Sequence, residues 1–249
     1  RVSLKIGENF VYGFIQEGND LFYIEPARYY SNSRNLEEFI IYNTKNIRPQ
    51  APGTCGFEEV QSKMEDRIEQ TSSRLAGECF EFDYVICNDY SIVSKYGGVN
   101  GANAHAVAVT NDVNENYSTS FNDEYRFIIA GNYNTTCSGC DPAMWTSTTN
   151  SSTFLSNFRT WGESFLQNNF TYDVSSLWTN RDFDGSTIGV AYLNAICGTA
   201  RYNVLQDFSS NADQLRVLTA HELGHNCGSN HDGSGSSFIM APSVPSGSQ

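Results

Sequence analysis

HELGHNCGSNHD, residues 221–232, holds three of the four histidines in this 249-residue chain. His221 and His225 are four residues apart, and His231 follows six later. On an α-helix a spacing of four puts two side chains on one face, one turn apart. Two imidazoles so placed can hold one divalent ion, zinc above all. Glu222 is rotated by about 100° from His221, so it sits beside the ion without ligating it. That position suits a general base acting on water at the metal. Gly228 can adopt the left-handed conformation that ends a helix and turns the chain, and His231 then completes the set. Three protein ligands leave one coordination position open, the mark of a catalytic rather than a structural site. HExxH alone arises by chance in unrelated chains; the added glycine and third histidine make this stretch specific. His105, the fourth histidine, has no metal spacing and reads as an ordinary helix-face residue.

Outward from the motif, Ser210 or Asn211 can cap its helix, with Asp213 in the first turn. Leu215, Leu218 and Leu223 turn inward with the histidine side. STIGVAYL (186–193), FDYVI (82–86) and YRFIIAG (125–131) read as strands. ANAHAVAVTNDVNENY (102–117) reads as a helix, as do residues 151–168, where Phe154, Phe158, Trp161 and Phe165 form one stripe. Strands and helices alternate, which predicts an α/β fold with helices packed on a sheet. Further upstream, NFVYGFIQ (9–16) and DLFYIEPA (20–27) read as a hairpin turned by EGN, and EEFIIYNT (37–44) as a third strand. NIRPQAPGTCGF (46–57) reads as a loop or extended segment. Residues 58–76 are polar and weakly helical, and they look like a junction between two bodies.

The formal charge of −13, from 28 acidic against 15 basic residues, disfavours a nucleic-acid partner. Seven cysteines, Cys55, Cys79, Cys87, Cys137, Cys140, Cys197 and Cys227, would leave one over if six paired in an oxidising compartment. With sequons at Asn116, Asn134, Asn150 and Asn169, they point to a glycoprotein of the secretory pathway. No window of eighteen apolar residues occurs. The opening RVSLKIGENF reads as the middle of a longer protein, and the end reads as stopping before a closing element. A membrane anchor in the parent protein is compatible with both.

The motif HELGHNCGSNHD resembles the extended zinc motif HExxHxxGxxHD of the metzincins, in their adamalysin or ADAM branch. The resemblance implies a zincin-like catalytic domain with a mostly parallel twisted sheet and a zinc-binding active-site helix. It also implies one catalytic Zn2+ held by His221, His225 and His231, with Glu222 as catalytic base. FIMAPSV resembles the family's methionine turn, which makes Met240 a hydrophobic support under the zinc and Ala241, Pro242, Ser243 and Val244 a wall of the S1′ pocket. Asp232 matches the aspartate that ties the loop. SSLWTNRDFDGSTIGVAYL is similar to the segment before the zinc helix in the TACE and Kuzbanian subgroup of cell-surface sheddases. There the strand is the edge of the cleft, so Ile188, Gly189, Val190 and Ala191 would bind an extended substrate through their backbone. Two departures stand out. The stretch from Asp232 to Met240 is short, which would leave one side of the cleft open. Cys227 lies inside the motif, either as a metal candidate or paired with Cys197.

GFIQEGNDLFYIEPARYY and FIIYNTKNI resemble the late prodomain of that subgroup. The expected division is therefore a β-rich prodomain remnant and junction over residues 1–76, and a catalytic domain over 77–249 truncated after the methionine turn. Cys55, in PGTCGF, resembles a cysteine switch whose thiolate fills the open zinc position; its other reading is a disulfide partner. The junction offers Arg67 and Arg74 but no paired-basic site. Calcium is compatible with the many carboxylates, but no EF-hand spacing assigns it ligands. The functional expectation is a zinc endopeptidase, sheddase-like, secreted or at the cell surface and latent through its own prodomain. The alternative is a catalytically silent ADAM-like binding or regulatory module.

Overall fold

The computed structural model describes residues 1–7, 10–31, 33–35, 37–47, 53–57, 60, 80–233 and 235–244. Of the junction read at 58–76 only residue 60 is among them; Arg67, Arg74 and, beyond the junction, Cys79 lie outside the described residues. Among those described, the strands form two sheets.

The N-terminal sheet has the order β1-β2-β3-β4, antiparallel throughout. Its strands are β1 (Val2–Gly7), β2 (Phe10–Glu17), β3 (Asp20–Pro26) and β4 (Phe39–Asn43). The hairpin turns at Gly18, whose φ of 58° is a conformation that suits glycine. The sequence reading did not anticipate β1. Period-2 alternation puts Phe10, Tyr12, Phe14, Tyr23 and Glu25 on one buried face. That face covers the helices of the second body.

The second sheet has the order β11-β5-β9-β10-β8-β6-β7. Its members are β5 (Gly53–Cys55), β6 (Phe80–Asn88), β7 (Tyr125–Asn134), β8 (Val174–Thr179), β9 (Thr187–Ala191), β10 (Tyr202–Gln206) and β11 (Ser243–Val244). Pairing is parallel at β5–β9, β10–β8, β8–β6 and β6–β7, and antiparallel at β9–β10 and β11–β5. The sheet is thus mixed, with the mostly parallel character expected of it. β8 and β10 escaped the reading because they are buried end to end and lack alternation.

Helices α1 (Tyr90–Lys95), α2 (Val99–Phe121), α3 (Ser151–Ser164), α4 (Leu166–Asn169) and α5 (Ala212–Asn226) complete the layers. One apolar cluster joins Leu215, Leu218 and Leu223 of α5 to Val109, Val113 and Tyr117 of α2 and to Tyr12 and Tyr23 of the N-terminal sheet. A second, on the other side of the sheet, gathers Phe154, Phe158 and Trp161 with Trp145 and Tyr202. Among the described residues no helix is long and apolar enough to cross a membrane.

Cys137 and Cys140 form a disulfide within the loop after β7. Backbone bonds from Ala195 and Ile196 to Asn226 O (2.8 and 3.0 Å) run Cys197 alongside Cys227, but the two sulfurs are not bridged to each other. Of the sequon asparagines, Asn116 accepts a hydrogen bond from Arg216 and Asn134 bonds Asn88 and Asn103. Asn150 caps α3, and Asn169 is exposed on α4.

Candidate active site

α5 begins at Asn211, whose side-chain oxygen accepts from Asp213 N and Gln214 N at 2.9 and 3.3 Å, as an N-cap should. It ends at Cys227, and Gly228 follows with φ of 100°, the left-handed stop that lets the chain turn back. Cross-links fix the helix to its sheet. Asn226 Nδ2 donates to Tyr192 O and Tyr202 O, and Asn203 donates to Asn226 Oδ1. Tyr117 of α2 donates to Ala220 O. The helix is buried along its whole length.

The turn after Gly228 brings His231 to the two helix histidines. The three Nε2 atoms lie 3.0–3.2 Å apart. His221 Nδ1 is 2.6 Å from Ile239 O, and His225 Nδ1 is 2.7 Å from Ser229 O. A carbonyl cannot donate, so each Nδ1 carries the proton and each of these Nε2 atoms turns a bare lone pair inward. Lone pairs gathered this closely repel unless a cation lies among them. Burial also holds the imidazoles neutral, lowering His221 to about 4 and His225 to about 3. Neutral imidazoles oriented by backbone carbonyls are the donor set a zinc ion takes, so these residues fit the ion.

Cys55 joins the set. Its Sγ lies 3.5 Å from His225 Nε2, and the four ligand atoms all fall within 4.8 Å of one another. The same Sγ is 3.6 Å from Glu222 Oε2. β5 carries Cys55 there by inserting between β9 and β11. Thr54 N bonds Ser186 O (2.7 Å), Gly56 N bonds Gly189 O (2.9 Å) and Cys55 N bonds Pro242 O (3.4 Å). Within the stretch read as a loop or extended segment, Gly53–Cys55 is therefore a strand. Without it, β9 would be an edge.

Glu222 is fully buried, and burial pushes its carboxyl up to about 8. Among the described residues its Oε1 has no hydrogen-bond partner. It sits where Gly189 leaves room: a Cβ on that glycine would lie 2.6 Å from Glu222 Oε1 and 2.8 Å from Leu218 Cδ1. Met240 packs its sulfur against α5 beside Gly224, where an added Cβ would meet it at 2.6 Å. Asp232 closes its loop through its backbone N–H to Met240 O (2.8 Å) and accepts from Ser236 Oγ at 3.0 Å. His105 lies away from this cluster. It is buried, bonded to Tyr96 Oη at 3.0 Å and stacked on that ring.

Sequence reading missed Phe57. Its ring stacks on His225 with centroids 4.1 Å apart and 4° between planes, and it meets His231 nearly edge-on. It missed the two orienting carbonyls as well. No sequence signal marks these partners: Phe57 and Ile239 O reach the histidines from other segments, and Ser229 O, four residues after His225, is aimed back by the turn at Gly228.

The model of Metallo-peptidase family M12, reprolysin type, matches residues 81–249. A zinc metalloproteinase-disintegrin-like protein of Cerberus rynchops is 27% identical over 234 residues, covering 88% of this chain and 36% of its own length. The chain thus spans little more than a third of that relative. A solved structure described as a chaperone-substrate complex holds a chain similar at 18% identity with a TM-score of 0.51, over 66% of this chain and 28% of that one. At that identity the likeness concerns the fold alone.

Proposed function

The chain belongs to metallo-peptidase family M12, and on that premise we propose that it is a zinc endopeptidase held latent by its own N-terminal segment. The observation that carries the reading is the convergence of three Nε2 atoms, the Cys55 sulfur and the Glu222 carboxylate at one cleft. His221, His225 and His231 would hold the metal. When bound, zinc supplies Lewis-acid chemistry, polarising a carbonyl and acidifying water. Glu222 takes the proton of the attacking water and delivers it to the leaving amine. Burial brings its carboxyl closer to neutrality than an ordinary glutamate, which suits both duties near neutral pH. Met240 supports the histidines from below, and Gly228 and Asp232 shape the return of His231.

The substrate is an extended peptide. β5 already seats an extended backbone between Ile188–Ala191 and Ala241–Val244, so these residues are the substrate contacts we assign. Residues 1–76 act as prodomain and 77–249 as catalytic domain, with Cys55 as the switch. Phe57, on the face of His225, closes the slot beside it. The similarity to the TACE and Kuzbanian subgroup favours segments of extracellular or membrane-anchored proteins as targets. The Cys137–Cys140 disulfide favours the secretory pathway.

The test is cleavage of a quenched-fluorescent peptide library after proteolytic release of residues 1–76, with metal analysis. One zinc per chain and activity abolished by a chelator, then restored by zinc, is the expected result. Bound zinc without cleavage would transfer the reading to a silent binding module.

Gly189 offers a sharper check. An alanine there must displace Glu222 or Leu218. Gly189→Ala in the released protease is expected to lower kcat by about a hundredfold, the scale of a misplacement near 1 Å, with zinc content unchanged. An unaltered kcat would remove Gly189 as the socket for the base.

A further inference from the structure

β5 meets α5 at its histidine end; the separate N-terminal sheet meets it at the other. Glu25, on β3, is 1% exposed. Its Oε1 accepts from the hydroxyls of Tyr42 and Tyr30 and, at 3.3 Å, from Ala212 N in the first turn of α5. Asn211 serves the next two N–H groups, so Glu25 completes the cap from a separate sheet. The surrounding groups come from every packed element. Tyr12 (β2), Tyr23 (β3), Tyr29 and Tyr30 (the turn after β3) and Tyr42 (β4) face it from the N-terminal side; Tyr96 (the end of α1), Asp112 (α2) and Asp213 and Arg216 (α5) face it from the other.

Arg216 is the buried cation here, and it pairs with Asp213. Asp112 is 1% exposed and its Oδ2 has no hydrogen-bond partner among the described residues. The hydroxyls of Tyr12 and Tyr23 are likewise buried without one. An adjoining cavity of about 620 Å³ brings in Arg1 and Lys45, but these pair with Glu115 and Asp20. Docking therefore buries two carboxylates, Glu25 and Asp112, with no cation of their own. Burial of an unpaired charge is costly, and a carboxylate avoids it by taking a proton.

We propose that the N-terminal sheet is latched to the head of the active-site helix by a proton-dependent interface, in which Glu25 and Asp112 gather around one Arg216–Asp213 pair, so that docking takes up protons and weakens as the pH rises. Burial agrees: it raises Glu25 from 4.5 to about 7 and holds Asp112 well above the carboxylate range. The docked value lies above the undocked one. The proton-linked contribution of Glu25 is thus complete below about 4.5, shrinks as pH rises toward about 7, and is lost above it. Its regulatory meaning rests on the inhibitory reading above: a cut chain would keep its N-terminal segment in an acidic compartment and shed it near neutrality.

The experiment is hydrogen exchange by mass spectrometry on the intact chain from pH 5 to 8, corrected for intrinsic exchange, following residues 20–43 and 210–218. Protection of both is expected to fall between pH 5 and 7, by up to about tenfold per pH unit for each proton released. Glu25→Gln and Asp112→Asn keep the shape and an acceptor oxygen. Each should flatten the profile in part, and together fully. A flat wild-type profile, or an unchanged slope in both single variants, would overturn the latch; the single variants decide if the double one does not fold. A peptidase assay on the same samples separates the two readings. Full activity with the sheet protected would end the inhibitory reading and leave the latch standing, whereas a repressed chain with flat protection would do the reverse.

Discussion

Glu222→Gln in the released protease is expected to lower peptide hydrolysis by about 10²–10⁴-fold, the span of general acid–base catalysis, while zinc content stays at one per chain. Glutamine matches the shape of glutamate, so the space between Gly189 and Leu218 stays filled. The amide cannot take a proton from water near neutral pH. The three histidines are untouched, and their Nδ1 atoms keep Ile239 O and Ser229 O as partners. Single-turnover rates with metal analysis measure both halves of this expectation. A variant that cleaves at the wild-type rate would show that some other group moves the proton.

Cys55→Ala in the intact chain is expected to raise peptidase activity by about tenfold or more, a change of about 1.4 kcal/mol. The sulfur is the fourth ligand atom of the cluster and also touches Glu222 Oε2, so its loss frees the open metal position and the base together. Activity should still fall short of that of the protease without residues 1–76. β5 remains hydrogen-bonded to Ser186, Gly189 and Pro242, and Phe57 remains stacked on His225. Cobalt substitution gives a second readout. A thiolate-to-cobalt absorption band in the intact chain should vanish in the variant. A chain that is fully active with Cys55 in place, or one that lacks this band, would refute the switch.

The two sheets were legible to different depths. The hairpin of β2 and β3 stood out through alternation and its glycine turn, because one face of each strand packs and the other does not. β8 and β10 have no such contrast: both faces are covered, so their residues vary without a period. β5 is three residues long and carries no strand signature of its own. It is a strand only because β9 and β11 offer it unpaired backbone groups on either side.

Sequence alone determined what depends on neighbours along the chain. A spacing of four on a helix puts His221 and His225 on one face, Ser210 or Asn211 can cap that helix, and Gly228 stops it so that His231 can return. These follow from local geometry, which holds wherever the helix is placed. Tertiary structure decided everything that joins remote segments. It ran β5 along β9, aimed Cys55 at the histidines, laid Phe57 on His225, and set Glu222 against a glycine 33 residues before it. It also placed Glu25 at the head of α5, 187 residues from the amide it caps. No spacing encodes such contacts, because they arise when buried faces find each other and exclude water, and that energy belongs to the pair of surfaces rather than to either segment.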